Sequence, residues 1–255
     1  MTKGCGNMLS QALLGLALCL GVTLTATAAS IALVPVRLAL TAKQPISALT
    51  VRNDGDEATV VQLEVVSWSQ ADGKDVYTAT SEILATPPIF TVAPGGSQLV
   101  RVGMRRPADA NRELTYRLFL QEVPPPPKPD FKGLQVALRF GVPVFVGAAA
   151  AQQAKGTIVP VATLQWRARA AAGSGQVTLT ATNTGTAHVQ VTHFTLAPKD
   201  QAAPPEHSSP EYVLAGQYRD WQVELKPAPA AGASLHVSAA TDAGPVEADV
   251  VVEGL

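Results

Sequence analysis

Few residues in this 255-residue sequence have the type and spacing that chemistry needs. The four histidines, His188, His193, His207 and His236, all lie in the second half. A metal site needs such side chains to converge on one point. His188 and His193 sit five apart in an alternating stretch, which sends them to opposite faces of a strand. Surface histidines and no metal are the expectation. No Gly-x-Ser-x-Gly elbow, P-loop or Gly-x-Gly-x-x-Gly occurs, so neither a strand-to-helix nucleophile nor a phosphate cradle is signalled. Glu64, Glu113 and Glu122 have no second carboxylate at an acid–base spacing. The sequence points away from an enzyme and from any cofactor, nucleotide included.

What stands out instead is a segment that asks to be buried. In "EVPPPPKPDFKGLQVALRFGVPVFVG" (residues 122–147), four consecutive prolines run into Leu134, Val136, Leu138, Phe140 and Val142. Period-two alternation of apolar residues marks one face of a strand. Proline has no backbone N–H and breaks a ladder. The entrance to this strand is therefore built from the opposite chemistry to the strand itself. Read from its pattern alone, the apolar face packs on the protein's own core.

The elements that must hold this strand are β-strands almost throughout. Hydrophobic residues make up 47% and charged ones 15%, which argues against disorder, and 20 glycines and 20 prolines supply many turns. The first residues differ. Lys3 precedes an apolar run from Met8 to Val22, which ends in "TLTATAAS". That is the pattern of a secretory signal peptide, residues 1–28, cleaved after Ala28 or Ala29. Cys5 and Cys19 fall inside it, so the mature chain would be an exported protein without a disulfide. The formal net charge is −1, and losing Lys3 takes it to −2. Nothing in that balance suits nucleic acid.

From Ser30 to the proline run, about seven short strands are expected, bounded by turns such as "NDGD" and "ADGK". This is the count of an immunoglobulin-like sandwich. "VGAAAAQQAKG" reads as a linker. A second β pattern follows, in which "GQVTLTATNTGTAHVQVTHFTLA" reads as a hairpin turning at "NTG". No repeat beyond this shared style links the halves. The reading is an all-β chain: signal peptide 1–28, first domain 29–148, linker 149–156 and second β-sandwich domain 157–255.

The first domain also carries a resemblance. "ATPPIFTVAPGGSQLVRVG" (residues 85–103), "ELTYRLFLQEVPP" (113–125) and "LQVALRFGVPVFV" (134–146) are similar, in order and spacing, to the periplasmic chaperones of the chaperone–usher pilus pathway, the PapD-like proteins. The short proline-rich loop and the missing disulfide resemble the short-loop or spore-coat-U-type branch. The resemblance implies two immunoglobulin-like domains in an L or boomerang arrangement. It also implies a periplasmic, ATP-independent chaperone that binds pilin subunits, prevents their aggregation and delivers them to an outer-membrane usher. A structural or adhesive two-domain protein of a surface fibre is the alternative.

Within that resemblance the segment from Leu134 to Val142 is the donor strand, lent to a pilin that lacks its own last strand. Chaperone–pilin pairing is a known instance of strand addition. Filling a groove with four or five such side chains would contribute about 6–15 kcal/mol gross, from which ordering and association costs subtract. The family also anchors the pilin's terminal carboxylate with two basic residues. Arg37 in "VPVRLAL" fits the first position. Pro143 stands where a lysine is expected for the second, which leaves Arg139 on the same strand, or Arg101 or Arg117 from neighbouring strands. Arginine suits the task because its guanidinium presents a permanently charged fork.

Overall fold

The computed structural model describes residues 31–109, 111–126, 134, 136–147, 163–171, 173, 175–198 and 206–254. The expected leader and linker lie outside these residues. Every regular element among them is a strand.

The first half contains β1 (Ile31–Val34), β2 (Leu38–Leu40), β3 (Ile46–Asn53), β4 (Thr59–Ala71), β5 (Lys74–Ala79), β6 (Ile83–Thr86), β7 (Ile89–Val92), β8 (Ser97–Met104), β9 (Leu114–Val123) and β10 (Arg139–Val146). They form two facing sheets, β1-β3-β8-β6 and β2-β10-β9-β4-β5, with β7 also on β4. Alternation supplies the core between them: Leu49, Val51, Val100, Val102, Leu118, Leu120 and Val144 are fully enclosed. The chain crosses between sheets at Pro35, where β1 leaves β3 and β2 joins β10. A residue without an N–H ends one ladder there and frees the chain to begin another. The β4–β5 hairpin runs three residues past the expected end at Trp68 and closes on Asp72 and Gly73, both at positive φ (51° and 68°). That is the backbone a two-residue hairpin turn requires.

The second half contains β11 (Leu164–Ala170), β12 (Gln176–Asn183), β13 (Val189–Pro198), β14 (His207–Val213), β15 (Tyr218–Glu224), β16 (Ser234–Thr241) and β17 (Gly244–Gly254), in the order β14-β13-β16-β17-β11-β12-β15. β17 belongs to both layers, pairing β16 over Gly244–Val251 and β11 over Val252–Gly254.

The expected hairpin at "NTG" does not form. β12 pairs with β11 and β15, whereas β13 pairs with β14 and β16. Asn183 explains the difference, because its buried side chain serves as an inward cap. Its Nδ2 donates to the Ala187 and Val213 carbonyls at 2.7 and 2.9 Å, and its Oδ1 accepts the Gly185 N–H at 2.9 Å. The contact to Val213 reaches across the sandwich and sends the chain over. Asn53 repeats the device in the first half, donating to Glu57 and Val92 carbonyls at 2.7 and 3.1 Å and accepting from Gly55 at 3.0 Å. The halves therefore share a residue-level repeat, Asn-x-Gly at a sheet-to-sheet crossing.

The two sandwiches meet along an apolar cluster of Trp68, Phe145, Leu214 and Tyr212. Beside it the β4–β5 turn is clamped. Buried Gln70 donates to Asp75 and to the Tyr212 carbonyl and accepts the Leu214 N–H. Arg219 donates to Asp75 and to the Gly73 and Tyr212 carbonyls.

Candidate functional site

Two surfaces converge on β10. On one side β9 pairs with it across all eight residues; on the other, β2 covers only Val144–Val146. Residues 139–143 therefore present a sheet edge without a strand beside it among the described residues. Edges of this kind accept another strand.

The residues expected to form a donor strand divide along the segment. Val142 is 2% exposed and lies in the core with Val144 and Val146, and Phe140 packs against that core. Leu138 is half-buried and held to Glu122 twice: its N–H donates to the Glu122 carboxylate Oε2, and its carbonyl accepts the Glu122 backbone N–H. Val136 and Leu134 are 65% and 87% exposed and precede the strand. The core reading thus holds for the C-terminal part, while the N-terminal part carries apolar side chains in water. Exposed Pro124, Pro125 and Pro126 follow β9; the rest of the proline run lies outside the described residues.

On the other face of the same sheet, cations and aromatic rings alternate. Arg139 lies 3.9 Å from the centroid of Phe119, and Phe119 meets Tyr77 edge-on. Arg117 lies 4.4 Å from the centroid of Trp68, which contacts Phe145 and Tyr212. Such contacts contribute about 0.5–2 kcal/mol each, more as water is excluded. Arg117 stands directly opposite Pro143 in the β9–β10 register. Its buried Nε has no hydrogen-bond partner among the described residues. A Cβ at Gly141 would come within 3.3 Å of that nitrogen, so the glycine leaves room for the guanidinium.

The row ends at the junction of the two sandwiches. Arg37, between β1 and β2, donates from Nη1 to Asp242 Oδ2 at 2.7 Å. Burial pushes the Tyr212 phenol up, and the Arg37 guanidinium beside it acts in the opposite sense. His188 stacks on Phe145 with centroids 3.4 Å apart, and its Nδ1 lies 2.6 Å from Glu113 Oε1. Its Nε2 is 3.7 Å from Asp242 Oδ2. His188 therefore departs from the expected surface histidine; its partners lie 54 and 75 positions away, and short-range spacing carries no sign of them. A cleft of about 210 Å³, polar and apolar in equal measure, is lined by Trp68, Gln70, Glu82, Glu113, Leu214 and Gln217 among others.

The four arginines separate accordingly. Arg37 and Arg117 both act electrostatically on Tyr212. Arg139 sits at the far end of β10, ion-paired to Glu64 at 2.8 Å. It is four residues, or about 13 Å, from Pro143. Arg101 lies on β8, in the other sheet, facing solvent between Ala48 and Thr86. Among the described residues no group of three or more His, Cys, Asp or Glu could hold a metal ion, and no helix is long and apolar enough to cross a membrane.

Residues 30–150 match the family described as pili and flagellar-assembly chaperone, PapD N-terminal domain. Compared by sequence with the curated proteins, the chain matches none. Solved structures show where the fold recurs. One is a chain of the CsuC–CsuE chaperone–tip adhesion subunit pre-assembly complex from archaic chaperone-usher Csu pili of Acinetobacter baumannii. It is 18% identical with a TM-score of 0.64, over 89% of this chain and 100% of that one. The Salmonella enterica SafA pilin–SafB chaperone complex supplies another, 17% identical with a TM-score of 0.59, over 86% and 95%. The E. coli chaperone DraB is 21% identical with a TM-score of 0.55, over 86% and 98%. The family match thus covers the first sandwich, residues 30–150, as a PapD N-terminal domain of pili and flagellar-assembly chaperones, and the likeness of the remainder is one of fold.

Proposed function

We propose that the protein is a periplasmic chaperone of a chaperone–usher pathway. It binds pilin subunits by lending them a strand, prevents their aggregation and delivers them to an outer-membrane usher. The observation that carries this reading is β10: an uncovered edge at residues 139–143, preceded by exposed Val136 and Leu134 and followed by a half locked in the core. An isolated apolar strand in water has no purpose of its own. Lent to an incomplete sandwich, it buries its side chains and satisfies the partner's bare edge. Two chains compared above come from complexes of a chaperone with a tip adhesion subunit or a pilin.

The reading assigns binding rather than catalysis to the chain. Arg37 and Arg117 receive the pilin's terminal carboxylate, because both lie beside Tyr212 and Arg117 occupies the place opposite Pro143. Arg139 is held by Glu64 away from that point. A leader at residues 1–28 accounts for export.

The test is co-expression of the full chain with small fimbrial subunits, one at a time, followed by purification of the subunit. A 1:1 complex is expected with at least one pilin of its locus; none with any of them rejects the reading. Arg37→Glu should abolish capture with the fold intact by circular dichroism. Arg117→Met, which keeps the stem over Trp68 and removes the charge, should weaken capture by about 1.5–3 kcal/mol.

A further inference from the structure

The carboxylate anchor is already engaged. Arg37 Nη1 holds Asp242 Oδ2 at 2.7 Å, an aspartate of the second sandwich. Asp242 is fixed from behind: its Oδ1 accepts the Gln190 N–H at 2.8 Å, and its own N–H donates to the Gln190 carbonyl at 3.0 Å. On its other side, His188 Nε2 lies 3.7 Å from the same Oδ2. The His188 ring is held in turn by Glu113 Oε1, which accepts from the His188 backbone N–H at 3.0 Å and faces Nδ1 at 2.6 Å. Basic and acidic side chains thus alternate from Arg37 through Asp242 and His188 to Glu113. The end members come from the first sandwich and the middle pair from the second.

We infer that Asp242 is an internal competitor for the client's terminal carboxylate and sets the affinity of the anchor. The inference rests on Arg37 receiving that carboxylate. A client arriving at Arg37 meets a guanidinium whose charge is already shared. Asp242 cannot withdraw far, because the Gln190 backbone holds Oδ1. It yields by turning Oδ2 toward His188, the other basic side chain within 4 Å of it among the described residues. Asp242 therefore weakens capture, and His188 relieves that weakening by offering Asp242 another partner. Discrimination follows as well: a ligand without a free carboxylate cannot displace Asp242.

Wild type, Asp242→Asn and His188→Gln, each as the full chain, are co-expressed with the same pilin subunit, and the dissociation half-life of the purified complex is measured. Asparagine keeps the Oδ1 acceptor for Gln190 and removes only the charge. Its half-life should lengthen about two- to five-fold, the worth of one partly exposed ion pair. The half-life with His188→Gln should shorten. An unchanged or shorter half-life with Asp242→Asn overturns the inference. So does a shift of both variants in one direction, as general loosening of the junction would give. Arg37→Ala separates the two levels. If its complex is as long-lived as wild type, the anchor reading fails and this inference falls with it; if it is short-lived while Asp242→Asn changes nothing, only the competition is rejected.

Discussion

Asn53 and Asn183 carry more of this architecture than any charged residue. Each is fully buried and uses both ends of its amide, with two carbonyls capped and one N–H received. Replacing Asn183 by Ala leaves those partners bare in the interior. The expected loss is about 1–3 kcal/mol for each group left unsatisfied, read as a lower urea midpoint with unchanged m-value. Asn53→Ala should cost a similar amount. In the sequence both residues announce a turn through Asn-x-Gly, and both turns are present. What the letters do not reveal is the direction of the amide, because that depends on Val92 and Val213, 39 and 30 positions away. Arg117 is hidden for the same reason. Its unpartnered nitrogen, its aromatic floor and its place opposite Pro143 are set by three strands at once.

A strand's alternation tells which residues share a face, but not what covers that face. The pattern from Leu134 to Val146 is uniform, yet the structure buries one end and exposes the other. The division follows from β2, a three-residue strand that reaches only Val144–Val146. It yields a clean separation of roles. Val136→Asp should leave stability within about 0.5 kcal/mol, as exposed positions do, while capture of a pilin is lost. Thermal unfolding and co-purification together check both halves of that statement. On the neighbouring strands β16 and β17, His236 is held by Asp249 at 2.7 Å and Glu247 at 2.9 Å. The Asp249 hydrogen bond, with a smaller contribution from Glu247, raises its pKa above the ordinary value. A raised pKa means that the folded state binds the proton more tightly. The contribution to stability is full below about pH 6.5 and is lost as pH rises through the raised value. Melting temperature should fall across that window in the wild type, and the fall should shrink in His236→Gln.

At the scale of the whole molecule, two sandwiches are legible from strand spacing, and their junction is not. Gln70 reaches Tyr212 and Leu214, and Arg219 reaches Gly73 and Asp75, across more than 140 positions. No local pattern encodes such pairs. Gln70→Ala combined with Arg219→Ala removes both polar bridges while leaving both cores intact, so the two halves should begin to melt as separate transitions in calorimetry. A single, merely shifted transition would show that the apolar contacts of Trp68, Phe145 and Leu214 suffice to couple them. The division of β10 has one more consequence. Because Val142, Val144 and Val146 pin the strand along its own length, its free end cannot slide. Moving it by one residue would turn every buried valine outward. A guest strand laid along this edge therefore finds its alignment fixed beforehand, residue against residue, by a ruler whose zero mark lies inside the host.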